Sequence, residues 1–254
     1  METKKITIDD AEIVYSQMGQ GPVILYVHGN LGSRIWFERN MDIPGFTTIA
    51  PDMPNFGDSD TIEDQSMEEY GRRLALFTTE VAPEGLALLV GHSLGGAVAM
   101  EAAFRIPEKI GAMLLVDSCP IDGLKTPETY HPVIAQYKTD RKLLTTALGG
   151  VVPALKNEDI LGHLVEQAMK MKEEAFIGHA VELGKVNYEV PAAGFTAPVL
   201  VIRGELDVLI SEVAAEALAA AFPNGNYEEI ADAGHSLMVE NPTKFNKIIS
   251  GFLR

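Results

Sequence analysis

One cysteine is too few for an intrachain disulfide, so nothing in this chain calls for an oxidising compartment. That residue, Cys119, precedes Pro120 at the end of an apolar run, where a packed thiol is expected rather than a nucleophile. Basic residues are scarce too: 20 Lys and Arg face 36 Asp and Glu, and no basic cluster interrupts the net charge of -16. Such a surface repels polyanions, which argues against nucleic acid or an anionic membrane as partner and leaves a solvated, acidic exterior. Long apolar runs are missing as well. None approaches the roughly 20 residues of a membrane span, and the opening METKKITIDDAEIVY reaches charged residues too soon for a signal segment. A cytoplasmic protein is the expectation.

What the chain does hold is ordinary core material: 46% of its 254 residues are hydrophobic and 22% charged, the balance of a globular protein that folds alone. Alternating apolar and polar positions on either side of Asp9-Asp10 predict a β-hairpin ending at Gly19 and Gly21. Short apolar runs follow at 23–27, 46–50, 86–90, 110–116 and 199–202, stopped by residues such as Gly91, Asp117 and Gly204, and a further strand is expected at 226–230. Runs that are continuous rather than alternating predict strands buried on both faces of a parallel sheet. Helical patterns at 66–81, 94–105, 212–221 and 243–253 alternate with them. The fold class is therefore α/β, a mostly parallel, doubly wound sheet with its reactive groups at the carboxyl ends of the strands.

One stretch departs from this rhythm. From Ile121 to about Phe195 there is no strand signal, only helical patterns at 133–148, 158–171 and 173–183, punctuated by Gly149-Gly150 and Pro153. The expected organisation is a core of residues 1–120 and 196–254 with a helical cap, residues 121–195, inserted as a lid.

The chemistry starts at Gly91-His92-Ser93-Leu94-Gly95-Gly96, a match to G-x-S-x-G. With nine serines and 23 glycines in the chain, chance supplies only about 0.07 such matches. A strand is expected to end at Val90 and a helix to start directly after Ser93, and so sharp a turn forces the serine into a strained conformation with its hydroxyl held up. Gly91 and Gly95 bring no Cβ to that turn, and the helix N-terminus is aimed at the serine oxygen.

A serine hydroxyl needs a base, and there are six histidines. His28 stands at a strand end, His92 is expected to turn away from its neighbour Ser93, and His131, His163 and His179 fall in the insertion, where exposed or capping histidines are common. His235 remains, in the small-residue loop Ala233-Gly234-His235-Ser236 beyond a strand. Asp207, in Arg203-Gly204-Glu205-Leu206-Asp207, follows a strand and precedes the histidine, so its carboxylate can orient the imidazole. Glu205, Asp232 and Asp117 compete with it for that role. The order Ser93, Asp207, His235 is that of α/β-hydrolases.

With His28-Gly29 after the first parallel strand, Pro51-Asp52 with Gly57-Asp58-Ser59, GHSLGG, GELD and GHSLMVENP, the chain resembles the α/β-hydrolase family along nearly its whole length. The resemblance implies an oxyanion hole made by the backbone N–H groups of Asn30 and Leu94. His-Gly-Asn at 28–30 is also similar to haloalkane dehalogenases, which use an aspartate nucleophile where this chain has Ser93. Asn55 stands where relatives often have glycine.

The first functional expectation is a carboxylesterase cleaving small to medium carboxylic esters with a mainly apolar acyl group through an acyl-enzyme, with no cofactor and no metal. Lactonase, carbon–carbon bond hydrolase, amidase and perhydrolase chemistries share this triad. A carbon–carbon hydrolase of carboxylated substrates wants a cationic pocket, for which Arg34 and Arg141 are the candidate arginines. A non-catalytic small-molecule receptor is the expectation from another class.

Overall fold

Strands β1 (Glu2–Ile8), β2 (Ala11–Gly19), β3 (Val23–Val27), β4 (Thr47–Pro51), β5 (Leu86–His92), β6 (Met113–Val116), β7 (Val199–Gly204) and β8 (Gly225–Ile230) form one sheet in the computed structural model, which describes residues 1–254. Their order is β1-β2-β4-β3-β5-β6-β7-β8. The hairpin β1–β2 and the pair β2–β4 are antiparallel, and all pairs from β4 to β8 are parallel. From β3 the chain passes to β4 on one side and returns to β5 on the other. The order therefore reverses at β3, and the crevice outside the carboxyl ends of β3 and β5 is where such sheets bind ligands.

Ten α-helices accompany the sheet: α1 (Met67–Val81), α2 (Leu94–Arg105), α3 (His131–Gln136), α4 (Arg141–Val151), α5 (Glu158–Ala168), α6 (Ala175–Leu183), α7 (Glu189–Gly194), α8 (Glu212–Ala220), α9 (Leu237–Glu240) and α10 (Pro242–Phe252). Side chains alternate across each strand, so in β3 Leu25 and Val27 join one core with α1, α2 and α8, while Ile24 and Tyr26 join the other with a 3-10 helix at Arg34–Asn40, α5 and α10. Both faces are covered, which is why the strands read as unbroken apolar runs. Side chains cap the helices: Ser66 Oγ accepts from Glu69 N at 3.2 Å, Ser211 Oγ from Ala214 N at 3.2 Å, and Asn241 Oδ1 from Lys244 N at 3.0 Å behind Pro242.

Between β6 and β7 the chain makes five helices and no strand. The single helix expected over 133–148 is two. α3 ends at Gln136, and Asp140 starts α4 by accepting from Leu143 N at 2.9 Å, a local bond that competes with helix continuation. Gly149-Gly150 does not stop α4, which runs on to Val151 because Leu144 and Leu148 anchor it in the core. This stretch is tied to the sheet by Lys170 Nζ to Asp58 at 2.7 Å, Lys172 N to Asn55 O at 3.0 Å and Ala154 N to Glu240 at 2.8 Å. No helix is long and apolar enough to cross a membrane.

Helix α2 crosses the end of β3 with no clearance. A Cβ added to Gly95 would lie 2.4 Å from both the Val27 and His28 carbonyl oxygens. Gly95→Ala should therefore cost about 1–3 kcal/mol in urea unfolding, the usual penalty of overpacking. Gly251→Ala, where the methyl meets nothing within 4 Å, is the control that should cost none.

Candidate active site

Only Ser93 separates β5 from α2. Its φ of 53° and ψ of -120° lie where an L-residue is strained, at a cost of order 1–3 kcal/mol. Extended strand on one side and helix on the other leave that residue no ordinary conformation. Ser93 O accepts from Gly96 N at 2.9 Å and Cys119 N at 3.1 Å, which anchors the turn, and the side chain stays partly exposed.

The loops after β7 and β8 meet in a buried imidazole–carboxylate pair. His235 Nδ1 donates to Asp207 Oδ2 at 2.8 Å, and both residues are buried. Asp207 spends its other oxygen on Leu209 N at 2.7 Å and Ile210 N at 3.3 Å, so its loop folds around its own carboxylate. Arg203 locks this loop from beneath, donating to Ile210 O at 2.6 Å, Asp207 O at 3.1 Å and Glu229 at 2.6 Å. On the histidine side, Glu240 accepts from Gly234 N at 2.7 Å.

Of the competing acids, Glu205 and Asp232 are exposed, and Glu205 accepts only from Asp232 N at 3.2 Å. Asp117 is different. It is buried at the end of β6 at φ 44°, accepts from Gly204 N at 2.8 Å, and brings a ligand atom within 4.8 Å of those of Asp207 and His235. Its second oxygen has no partner. Burial, with the charge of Asp207 adding to it, pushes the Asp117 carboxyl well above the carboxylate range. Burial acts on Asp207 in the same sense, but the hydrogen bond and charge of His235 outweigh it and hold Asp207 below its ordinary value. The pair therefore keeps its proton on Asp117 and its negative charge beside the imidazole.

His92 is buried beside His235. A carbonyl only accepts, so His92 Nε2 donates to His235 O at 2.9 Å; its ring lies 5.0 Å from that of His235 and stacks on Trp36 at 5.6 Å. Burial, helped by the neighbouring His235, lowers its pKa to about 3, so it stays neutral. His28 works similarly on the facing loop: Nδ1 donates to Gly29 O at 2.9 Å while Nε2 accepts from Met53 N at 3.1 Å. Gly29 O also accepts from Gly32 N at 3.1 Å. In a planar trans peptide the N–H points opposite to the C=O, so this fixes Asn30 N–H to the other side. Neither Asn30 N nor Leu94 N, the first residue of α2, donates to the protein, and an added Cβ on Gly29 would lie 2.8 Å from Ser93 Cβ. Both N–H groups are free of protein partners, Leu94 directly after Ser93 and Asn30 directly after Gly29.

Two expectations change here. His179, expected to be exposed or capping, is fully buried, donates to Asn30 Oδ1 at 3.0 Å and stacks on Phe56 at 4.7 Å. Arg34 is spent on Asp52 and on Asp58 at 2.8 Å, and exposed Arg141 faces Glu166 at 3.4 Å, so neither is a free cation. His131 is half-buried with no partner for Nε2, and His163 is exposed and helps to line a cleft of about 250 Å³ together with Ile35, Trp36, Ile160, Leu164 and Val239. Cys119 is a buried thiol whose pKa burial pushes up to about 12.

Residues 24–248 match the sequence model of the alpha/beta hydrolase family. The chain is 26% identical over 258 residues to the pimeloyl-[acyl-carrier protein] methyl ester esterase of Yersinia pseudotuberculosis, covering 95% of this chain and 97% of that enzyme. Among solved structures, an esterase from Exiguobacterium antarcticum superimposes with a TM-score of 0.89 at 16% identity, covering 100% of this chain and 99% of the other. Est816, described as an N-acyl homoserine lactone degrading enzyme, superimposes with a TM-score of 0.83 at 22% identity, covering 98% and 100%.

Asp117→Asn tests the proton assignment. A carboxyl whose folded pKa lies above its unfolded one, about 3.9, takes up a proton on folding, so its contribution to stability is full below the unfolded value and is lost as pH rises through the folded one. A neutral amide that still accepts from Gly204 N escapes that loss. The variant should match the parent near pH 3 and gain on it as pH rises, by on the order of 1 kcal/mol or more at pH 8, the worth of one pKa unit. Urea midpoints at pH 3, 5 and 8 measure this; a constant difference would put the proton elsewhere.

Proposed function

This chain belongs to the alpha/beta hydrolase family, and on that premise we propose that it is a serine carboxylesterase with Ser93 as nucleophile, His235 as general base and Asp207 as the orienting acid. The observation that carries the reading is the buried His235 Nδ1 to Asp207 Oδ2 hydrogen bond of 2.8 Å, supported by Ser93 at φ 53° between β5 and α2 and by the bond from its chain neighbour His92 to His235 O at 2.9 Å. With Nδ1 committed to the carboxylate, Nε2 is the imidazole atom left to take a proton.

In this reading Ser93 Oγ attacks the ester carbonyl as His235 Nε2 removes its proton. The carbonyl oxygen becomes an oxyanion and receives the N–H groups of Asn30 and Leu94, the latter at the positive end of α2. His235 then passes the proton to the leaving alkoxide, and water repeats the sequence on the acyl-enzyme. The charged Asp207 stabilises the imidazolium formed in each half. The residues needed for this are all in the chain, and no metal or cofactor enters a step.

Helices α3–α7, within residues 121–195, serve as the cap over this site and set which acyl group enters. The pairing of Arg34 with Asp52 and Asp58 weighs against a carbon–carbon hydrolase that would need a cationic pocket. Relatives named as pimeloyl-acyl-carrier-protein esterases favour an ester of an aliphatic acyl chain.

A panel of p-nitrophenyl esters of increasing chain length tests the reaction class, with short to medium acyl chains expected to turn over. Failure on every ester, with turnover of a lactone or diketone, would move the assignment to those chemistries. Ser93→Ala and Asp207→Asn should each lower kcat by about a thousandfold or more with the fold intact by circular dichroism. A fluorophosphonate should add its mass to the peptide carrying Ser93; a label elsewhere, or none, would favour a receptor.

A further inference from the structure

A buried polar chain runs from α1 through the inserted helices to the oxyanion loop. Asn55 Nδ2 meets Tyr70 Oη at 2.7 Å, Tyr70 Oη meets His179 Nε2 at 2.9 Å, and His179 Nδ1 meets Asn30 Oδ1 at 3.0 Å. Asn55, Tyr70 and His179 are buried, and His179 is the only one that comes from the stretch between β6 and β7.

The direction of every proton in this chain follows from its two ends. At one end Ile62 N–H donates to Asn55 Oδ1 at 2.9 Å, so the Asn55 amide nitrogen faces Tyr70 and donates to it. Tyr70, accepting from Asn55, then has its own proton to give to His179 Nε2, which leaves Nδ1–H to donate to Asn30. At the other end Leu31 N–H donates to Asn30 Oδ1 at 3.1 Å, which requires that this atom be the oxygen and therefore an acceptor for His179. The two derivations start from different backbone N–H groups and agree. Burial lowers the His179 pKa to about 3, so the ring is neutral in the working range and holds this tautomer.

The loop that receives this bond needs holding. Leu31 sits at φ 60°, in the left-handed region. His28 grips Gly29 O on one side of the Asn30 peptide, and His179 grips the Asn30 side chain on the other. Phe56 lies between the two imidazoles, stacked on His179 at 4.7 Å and edge-on to His28 at 4.7 Å. Asn55 reaches Tyr70 from a backbone at φ 72°, a conformation that asparagine tolerates better than most residues, which accounts for its presence at a position where glycine alone would serve the turn.

We propose that His179 is a positioning residue for oxyanion stabilisation: through Asn30 Oδ1 it holds the Asn30 backbone N–H in place, and it does so only while α6 is packed on the core. The inference rests on the serine hydrolase reading above. Part of the support of the oxyanion loop thus comes from the insertion, through a His179 that is fully buried on α6.

The test compares His179→Phe, His179→Asn and Tyr70→Phe with the parent on a short-chain p-nitrophenyl ester and on an aryl boronic acid, whose adduct with the serine places an anionic oxygen in the hole. His179→Phe keeps a ring against Phe56 and removes both nitrogens. It should lower kcat about 10- to 100-fold, less than the loss of an oxyanion donor itself. KM should stay within about twofold, and boronate affinity should weaken by the same factor as kcat. His179→Asn, which restores an N–H toward Asn30, should recover part of the loss. Should His179→Phe not fold, Tyr70→Phe carries the test: it removes one oxygen, frees the His179 tautomer and should lower kcat and boronate affinity together. Unchanged kcat in the folded variants, or a loss confined to KM, would overturn the proposal. If instead the parent turns over no ester and Ser93 takes no fluorophosphonate, the hydrolase reading itself has failed.

Discussion

Everything at this site is arranged around one residue of backbone. Ser93 is all that lies between the end of β5 and the first turn of α2, and its φ of 53° is the geometric consequence of joining them without a loop. The strain persists because the neighbours leave no room to relax. Gly95 presses α2 onto the carbonyls of Val27 and His28, Gly29 lies against Ser93 Cβ, and Cys119 N–H holds the serine carbonyl. Strain of this kind is stored where a side chain must be presented rather than packed.

The second constraint is dielectric. Four histidines, two aspartates and two asparagines lie buried or partly buried around the serine, and each buried polar group must be paired or neutral. The histidines divide by role. His28, His92 and His179 are neutral and use a fixed tautomer to hold a Gly29 carbonyl, the His235 carbonyl and the Asn30 side chain respectively. His235 alone faces a buried carboxylate that keeps its charge. The carboxylates divide in the same way, with the proton on Asp117 and the charge on Asp207. Burial thus sorts chemically identical side chains into one reactive pair and a supporting frame.

Much of this was legible in the chain. The sheet and its helices follow from unbroken apolar runs alternating with helical periodicity, and the strand at 86–92 and the helix at 94–105 agree with the pattern to within two residues. Ser93, Asp207 and His235 could be named as candidates because each is marked by its local surroundings: a glycine-rich turn, the end of a strand, a small-residue loop. The helix break at Thr139-Asp140 was not, because a hydrophobic stripe continues across it and only the cap bond from Asp140 to Leu143 N ends it. His179, Tyr70 and Asn55 carried no signal. Each has an ordinary role open to it in its own segment, and their meeting joins a loop after β4, a surface helix and the insertion.

The sequence by itself determined the fold class and marked Ser93, Asp207 and His235 as candidates in that order, since a strand-to-helix turn, a hydrophobic period and a motif are properties of consecutive residues. Only the tertiary structure decided that Asp117 shares a buried site with Asp207, that Arg203 clamps the Asp207 loop, that His92 supports His235 and that His179 reaches Asn30. Each of those depends on side chains distant in the chain or on different elements sharing one low-dielectric volume. There, the protonation state and direction of every hydrogen bond are set by neighbours that sequence order does not display.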